Sequence, residues 1–185
     1  MKQDLLASLR AAVVALLAFT VLTGILYPLV VMGIGQAAFS HQANGAAELI
    51  GQTFTDPKYF WGRPSAAGYN AMTSTGTNYG QANPALRQAI AARVKALHDA
   101  DPGNPASAPI DLVTSSASGL DPDISPAAAY FQAERVATAR GLPVETVRSM
   151  IADGTEGRTF GILGEPHVNV VALNRALDAN TGPPR

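Results

Sequence analysis

The segment with the most chemical potential is Thr114-Ser115-Ser116-Ala117-Ser118-Gly119-Leu120-Asp121-Pro122-Asp123-Ile124-Ser125-Pro126. A Ser/Gly-rich turn that runs into a helix start can hold an anion, because free N–H groups and the helix dipole face the ligand. The same Ser, Asp and Pro residues are what turns and helix caps require, so a purely structural reading stands beside the ligand reading. Asp121 and Asp123 are close enough in sequence to form a carboxylate pair. Acid/base work, however, needs two environments that push their pKa values apart. Ser118, in Ser-Gly-Leu, does not sit in a nucleophile-elbow pattern. No glycine is followed by lysine, which removes the phosphate-binding loop. His41, His98 and His167 lack ligand spacing and there is no cysteine, so the common zinc patterns and disulfides are excluded. Asp153-Gly154-Thr155-Glu156-Gly157 lacks the ligand ladder of a calcium loop. These residues point away from an enzyme.

The elements that must position this segment can be read from caps and periodicity. Asn83-Pro84 supplies an N-cap oxygen and a first-turn proline, and Leu86, Ile90, Val94 and Leu97 make one apolar stripe up to Asp101-Pro102-Gly103. Ile110 to Val113 reads as a short strand. Ser125-Pro126 starts a second helix carrying Tyr130, Phe131, Gln132 and Arg135, with Gly141 as its stop. Pro143 opens a third, with Val144, Val147 and Ile151 on one face and Asp153-Gly154 at its end. Thr159 to Leu163 reads as a strand. Asn169 caps a last helix with Val170, Leu173 and Leu177 inward, and a tail follows from Thr181. The expected fold class is therefore α+β, mainly helical with a few short strands.

Two further segments stand out. Residues 62–83 are rich in Gly, Ser, Thr and Asn, a composition for turns and exposed backbone. A loop of that length in a compact domain usually serves a function, and its tyrosines favour order over disorder. The lead-in from Phe39 to Phe54 is short, which keeps this loop near whatever precedes it. What precedes it is apolar. No Asp, Glu, Lys, Arg or His occurs from Ala11 to Ile34. As a helix the run is about 36 Å long, enough to cross a ~30 Å hydrocarbon core with some tilt. It is hydrophobic on all sides, unlike a core helix. It also exceeds the ~7–15 apolar residues of a cleaved leader, so it is read as an anchor. Lys2 and Arg10 lie before it, and no Lys or Arg follows until Lys58. The positive-inside rule then places residues 1–10 in the cytoplasm, 11–35 in the membrane and 36–185 outside. Ala11, Ala15, Ala18 and Gly24 offer small surfaces for a partner helix. A formal net charge of −1 gives no reason to expect nucleic acid.

The chain resembles the C subunit of the Kdp potassium-transporting ATPase, the KdpC family, over essentially its whole length. The likeness is carried by Gly24-Ile25-Leu26-Tyr27-Pro28 in the anchor, Phe60-Trp61-Gly62-Arg63-Pro64-Ser65-Ala66, Asn83-Pro84 and the segment from Val113 to Ala128. It continues through Gln132, Arg135-Val136-Ala137, Ala139-Arg140-Gly141, Gly161, Leu163-Gly164-Glu165 and Val168-Asn169-Val170 to Leu173-Asn174 and Leu177-Asp178. Ala117 and Asp123 depart from the family pattern, where Gly and His are more frequent.

The resemblance implies a non-catalytic accessory subunit of a high-affinity potassium uptake complex in the cell inner membrane. Its partners would be a channel-like potassium-binding subunit (KdpA), a P-type ATPase subunit that hydrolyses ATP (KdpB) and the small KdpF subunit, together with membrane lipid. It implies a catalytic-chaperone role that stabilises the assembly and promotes ATP use. It also links Ser118, Gly119 and Gln132 to nucleotide. An outer domain cannot reach cytoplasmic ATP, so the topology expected from charge conflicts with that last implication. No tightly bound cofactor is expected. Tyr69, Asn70 and Asn78, in the long polar loop, are the expected partner-binding residues. The alternative is a membrane-anchored periplasmic binding module without obligatory partners.

Overall fold

The computed structural model describes residues 2–38 and 48–181. Most of the expected lead-in (residues 39–47, with His41) and the tail after Thr181 lie outside the described residues. The chain forms two units, residues 1–46 and 47–185.

The first unit is helical. α1 (Lys2–Val21) passes through one π-helical turn, Leu22–Leu26, into α2 (Tyr27–Ala38). Pro28 explains the π turn. A proline ring clashes with the carbonyl one turn earlier and offers that carbonyl no N–H, and widening the preceding turn relieves both problems. The N–H of Tyr27 donates to Leu22 O within that widened turn. The hydroxyls of Thr20 and Thr23 fold back onto Leu16 O and Phe19 O, both at 2.7 Å, so neither is left unsatisfied. The stretch Leu5–Ala38 is 34 residues long with a mean hydropathy of 2.3, long and apolar enough to cross a membrane.

The second unit contains α3 (Pro84–Ala100), α4 (Ile110–Val113), β1 (Asp123–Ile124), α5 (Pro126–Arg140), α6 (Val144–Asp153), β2 (Thr155–Glu156), β3 (His167–Asn169) and α7 (Val170–Thr181). The three strands make one antiparallel sheet in the order β1-β3-β2, pairing Ile124 with Val168 and Thr155 with Val168. The α+β class is as the sequence leads one to expect.

The caps act as their chemistry requires. Asn83 Oδ1 accepts from Ala85 N at 2.9 Å, Ser125 Oγ from Ala128 N at 3.1 Å and Asn169 Oδ1 from Ala172 N at 3.0 Å. Gly141 ends α5 in the left-handed region at φ 65°, and Leu142 N closes the cap on Ala137 O at 2.9 Å. α5 lies at the centre and buries Ala128, Ala129, Ala133, Val136 and Ala137 along with Gln132 and Arg135. Its small side chains admit Phe60, Val147, Ile151, Val168 and Leu177, all fully buried.

Two expected strands are not strands. Ile110–Val113 is a single helical turn begun by Pro109, with Thr114 N on Ile110 O at 2.9 Å. Adjacent Leu112 and Val113 are both buried, which a one-sided strand cannot do because its side chains alternate. Residues 159–163 fold into a tight turn with one bridge, Thr159 to Leu163. The three real strands are only two or three residues long, too short to show a period of two.

Candidate functional site

The motif residues converge on one frame. The segment Phe60-Trp61 has no strand beside it, and two buried amides take a strand's place. Asn174 of α7 accepts from Phe60 N at 2.9 Å and donates to Phe60 O at 3.0 Å. Gln132 of α5 accepts from Trp61 N at 2.8 Å and donates to Trp61 O at 3.1 Å. The second donor of Gln132 goes to Ala128 O at 3.2 Å, and its oxygen also accepts from Arg135 at 2.7 Å. Every hydrogen-bonding position of this amide is thus filled, and the side chain is only 1% exposed.

Arg135 extends the frame. Its guanidinium donates to Pro57 O and Tyr59 O and stacks 4.3 Å from the Trp61 ring. Burial presses its pKa down to about 10, so it stays charged at neutral pH. Arg140 donates to Lys58 O and Asp178, both at 2.7 Å, and Tyr59 Oη donates to Asp178 at 3.1 Å.

The Ser/Gly turn is built into the same scaffold. Gly119 is buried at φ +68°, and a Cβ there would lie 2.5 Å from Thr75 O and 2.9 Å from Ala67 Cβ. Its N–H donates to Ser116 Oγ at 2.9 Å and its carbonyl accepts from Ser65 Oγ at 2.6 Å. Ser118 is exposed, its Oγ accepting from Leu120 N at 3.1 Å and its carbonyl from Ser74 Oγ at 3.0 Å. Ser118 and Gly119 therefore belong to a weld between residues 64–76 and 115–120, whereas Gln132 belongs to the Trp61 clamp. Ser125 N, at the start of α5, donates to Asp111 at 2.6 Å.

The long loop is a defined but irregular chain path, as its composition implies. Tyr69 (φ 58°) turns inward, its hydroxyl donating to Arg63 O and its ring lying where a Cβ on Gly51 would fall. Burial, together with the Asp121 charge, raises its pKa. Asn70 is exposed and its Oδ1 accepts from Met72 N at 3.0 Å. Asn78 is exposed at φ 50°, with its amide on Gly76 O at 3.2 Å. Of the three expected contact residues, Tyr69 holds the loop together, and Asn70 and Asn78 face outward.

A cleft of about 330 Å³ opens among Phe54, Trp61, Arg63, Tyr69, Arg93 and Leu112. Arg63 bridges Asp121 at 3.1 Å, and its Nε is buried without a hydrogen-bond partner among the described residues. Arg93 donates to Val113 O at 2.8 Å and Ser115 Oγ at 3.1 Å.

A second exposed feature escapes the sequence reading. Residues 158–165 form a knob closed at its neck by Arg158, which donates to both oxygens of Glu165 at 2.7 and 2.6 Å. Thr159 O accepts from both Ile162 N (3.2 Å) and Leu163 N (3.0 Å). Phe160 and Gly161 have φ of 55° and 76°. Phe160, Ile162 and Leu163 are 90%, 75% and 58% exposed. The legible signal was an apolar trio between glycines, flanked by an Arg and a Glu; its apolar character suggests a strand until the glycines are given weight.

The family described as K+-transporting ATPase, c chain, matches residues 9–179. A potassium-transporting ATPase KdpC subunit of Methylococcus capsulatus is 54% identical over 183 residues, covering 92% of this chain and 96% of its own. Proteins of the same name from Herpetosiphon aurantiacus (54% identical, 91% of this chain and 94% of theirs) and Variovorax paradoxus (54%, 93% and 96%) are comparably similar. With a match of this extent, the chain belongs to the KdpC family of potassium-transporting ATPase subunits.

Proposed function

We propose that this chain is a non-catalytic accessory subunit of an ATP-driven potassium uptake complex. α1 and α2 anchor it in the inner membrane, with residues 36–185 outside. In this reading it binds the channel-like subunit (KdpA), beside the P-type ATPase subunit (KdpB) and KdpF, and stabilises their assembly. The observation that carries it is the family match, which runs unbroken from the apolar span to α7. Promotion of ATP use would pass through assembly rather than through a direct contact with Gln132. That amide has no unfilled donor or acceptor, and reaching it would mean breaking the Trp61 clamp. Asn70 and Asn78 remain the proposed loop contacts because they are exposed. Tyr69 acts beneath them.

The test is affinity purification through the ATPase subunit from membranes expressing the whole complex, with and without this chain. Stoichiometric retention, and loss of potassium-stimulated ATP hydrolysis without the chain, are expected. A complex that assembles and hydrolyses ATP normally in its absence would refute the reading. The cleft beside Trp61 favours the second reading, a membrane-anchored binding module. Such a module would purify alone.

A further inference from the structure

We propose that the knob at residues 158–165 is a docking plug, and that it seats in an apolar, basic-rimmed socket on another subunit of the transport assembly. This rests on the accessory-subunit reading above. The first observation is exposure. Phe160, Ile162 and Leu163 stand together in water, at a site where the fold buries nothing with them. The second is backbone conformation. Phe160 occupies the left-handed region, which favours Gly, Asn or Asp and strains an aromatic residue. Strain kept at an exposed position marks a function that needs that side chain there. The third is rigidity. Arg158 Nη2 donates to both oxygens of Glu165 across the neck, and the bonds of Thr159 to Ile162 and Leu163 close the turn, so the trio is held together before any binding.

Charge selects the occupant. At the root of the knob Arg158 and Glu165 neutralise each other, which leaves Glu156 and Asp123 as the acidic excess, with His167 3.7 Å from Glu156 and 4.0 Å from Asp123. An acidic collar of this kind is repelled by anionic lipid, and elements that lie on such surfaces carry Lys and Arg on their polar side. The collar instead complements a socket edged by Arg or Lys. A second copy of this chain fits poorly in either arrangement: knob against knob sets Glu156 and Asp123 against the same acids, and knob into cleft does not close. The knob and the Arg63–Arg93 cleft lie on one molecule, so knob-into-cleft contact is head-to-tail and does not close on itself. A subunit held at one place in an assembly cannot use an open chain of copies.

The test uses the intact complex in native membranes. A photo-crosslinking amino acid in place of Phe160 should join this chain to another transport subunit, identified by mass spectrometry. In parallel, Phe160→Asn combined with Ile162→Ser should lower retention on the affinity-purified complex at least about tenfold, as loss of an interface anchor does. Asn suits the left-handed backbone, so the melting temperature of the variant chain should stay within about 2 °C of the parent. Crosslinking only to lipid, to a second copy or within the chain itself would overturn the proposal. So would unchanged retention of the variant. If the parent chain is not retained at all, the accessory-subunit reading falls and the plug with it. If the parent is retained and the variant equally so, only the plug falls.

Discussion

Replacing Gln132 separates a structural amide from a ligand-binding one. Gln132→Ala removes the acceptor of Trp61 N–H and of Arg135, and the donor to Trp61 O. Ala128 O keeps its helical partner, so three buried or half-buried groups each lose a hydrogen bond. At about 1 kcal/mol for each, plus the void left by the side chain, the loss is about 3–4 kcal/mol. For a unit of this size that is a fall of roughly 10 °C in melting temperature. Gln132→Leu fills the volume and isolates the polar share, so it should recover only the void contribution. The assay is thermal unfolding of the full chain in detergent, followed by the fluorescence of Trp61, the sole tryptophan. It lies at the clamp itself and should report the loss directly. Melting of Gln132→Ala within about 2 °C of the parent, combined with a raised KM for ATP in the assembled pump, would refute the reasoning and return Gln132 to a nucleotide-binding role.

Gly119→Ala should destabilise by about 2–4 kcal/mol, from the left-handed backbone and the contact with Thr75 O, and Gly119→Val by more; Asp123→Ala should cost far less, as paired melts will show. Burial raises the Asp123 pKa above its ordinary 3.8, against the pull of His167. The folded chain then holds this proton in a range where the unfolded chain has lost it. Stability therefore falls as pH rises from near 3.8 through the raised value, and is level above it. Asp123→Asn should remove that slope in melts run from pH 3 to 7. Single cysteines at positions 5 and 100 of this cysteine-free chain should be protected from and labelled by an impermeant thiol reagent, respectively; the reverse pattern would refute the outward topology. Asn70→Ala with Asn78→Ala should weaken co-purification with the complex and leave the melt near that of the parent, whereas adding Tyr69→Ala should also lower stability, since its hydroxyl holds Arg63 O.

Helices were legible because their signals are local. Asn83-Pro84, Ser125-Pro126, Gly141, Pro143 and Asn169 each act within four residues of where they stand, and α3, α5, α6 and α7 follow from them. The strands were not, because β1, β2 and β3 exist only through pairing with a partner elsewhere in the chain, from Asp123 to Asn169 and from Glu156 to His167, and are too short to alternate. The site failed to show for the same reason. Nothing near Gln132 in sequence says that its amide will close on Trp61, or that Asn174 will do the same for Phe60. Those are contacts at separations of 71 and 114 residues. The knob was masked differently: its apolar residues carry a strand signal, but the positive φ of Phe160 and Gly161 turns the chain and leaves them exposed.

The residues that make this chain recognisable lie mostly inside it. Phe60, Trp61, Gln132, Arg135 and Asn174 bond to one another or to the backbone of distant loops, and Gly119 is held between the hydroxyls of Ser116 and Ser65. A motif of this kind preserves a shape, and a shape acts through what it holds outward. Asn70 and Asn78 cap a turn or occupy left-handed backbone on the loop that follows Trp61, while Phe160 is held by the bonds of its own turn. A frame-breaking substitution and a surface substitution should therefore give the same loss of assembly by different routes. Gln132→Ala would loosen the frame behind Trp61 and lower the melting temperature, whereas the variants at Phe160 or Asn70 would remove one contact and leave the melt intact. Measuring assembly and melting together on both classes separates the scaffold from the surfaces it presents, which assembly alone cannot do.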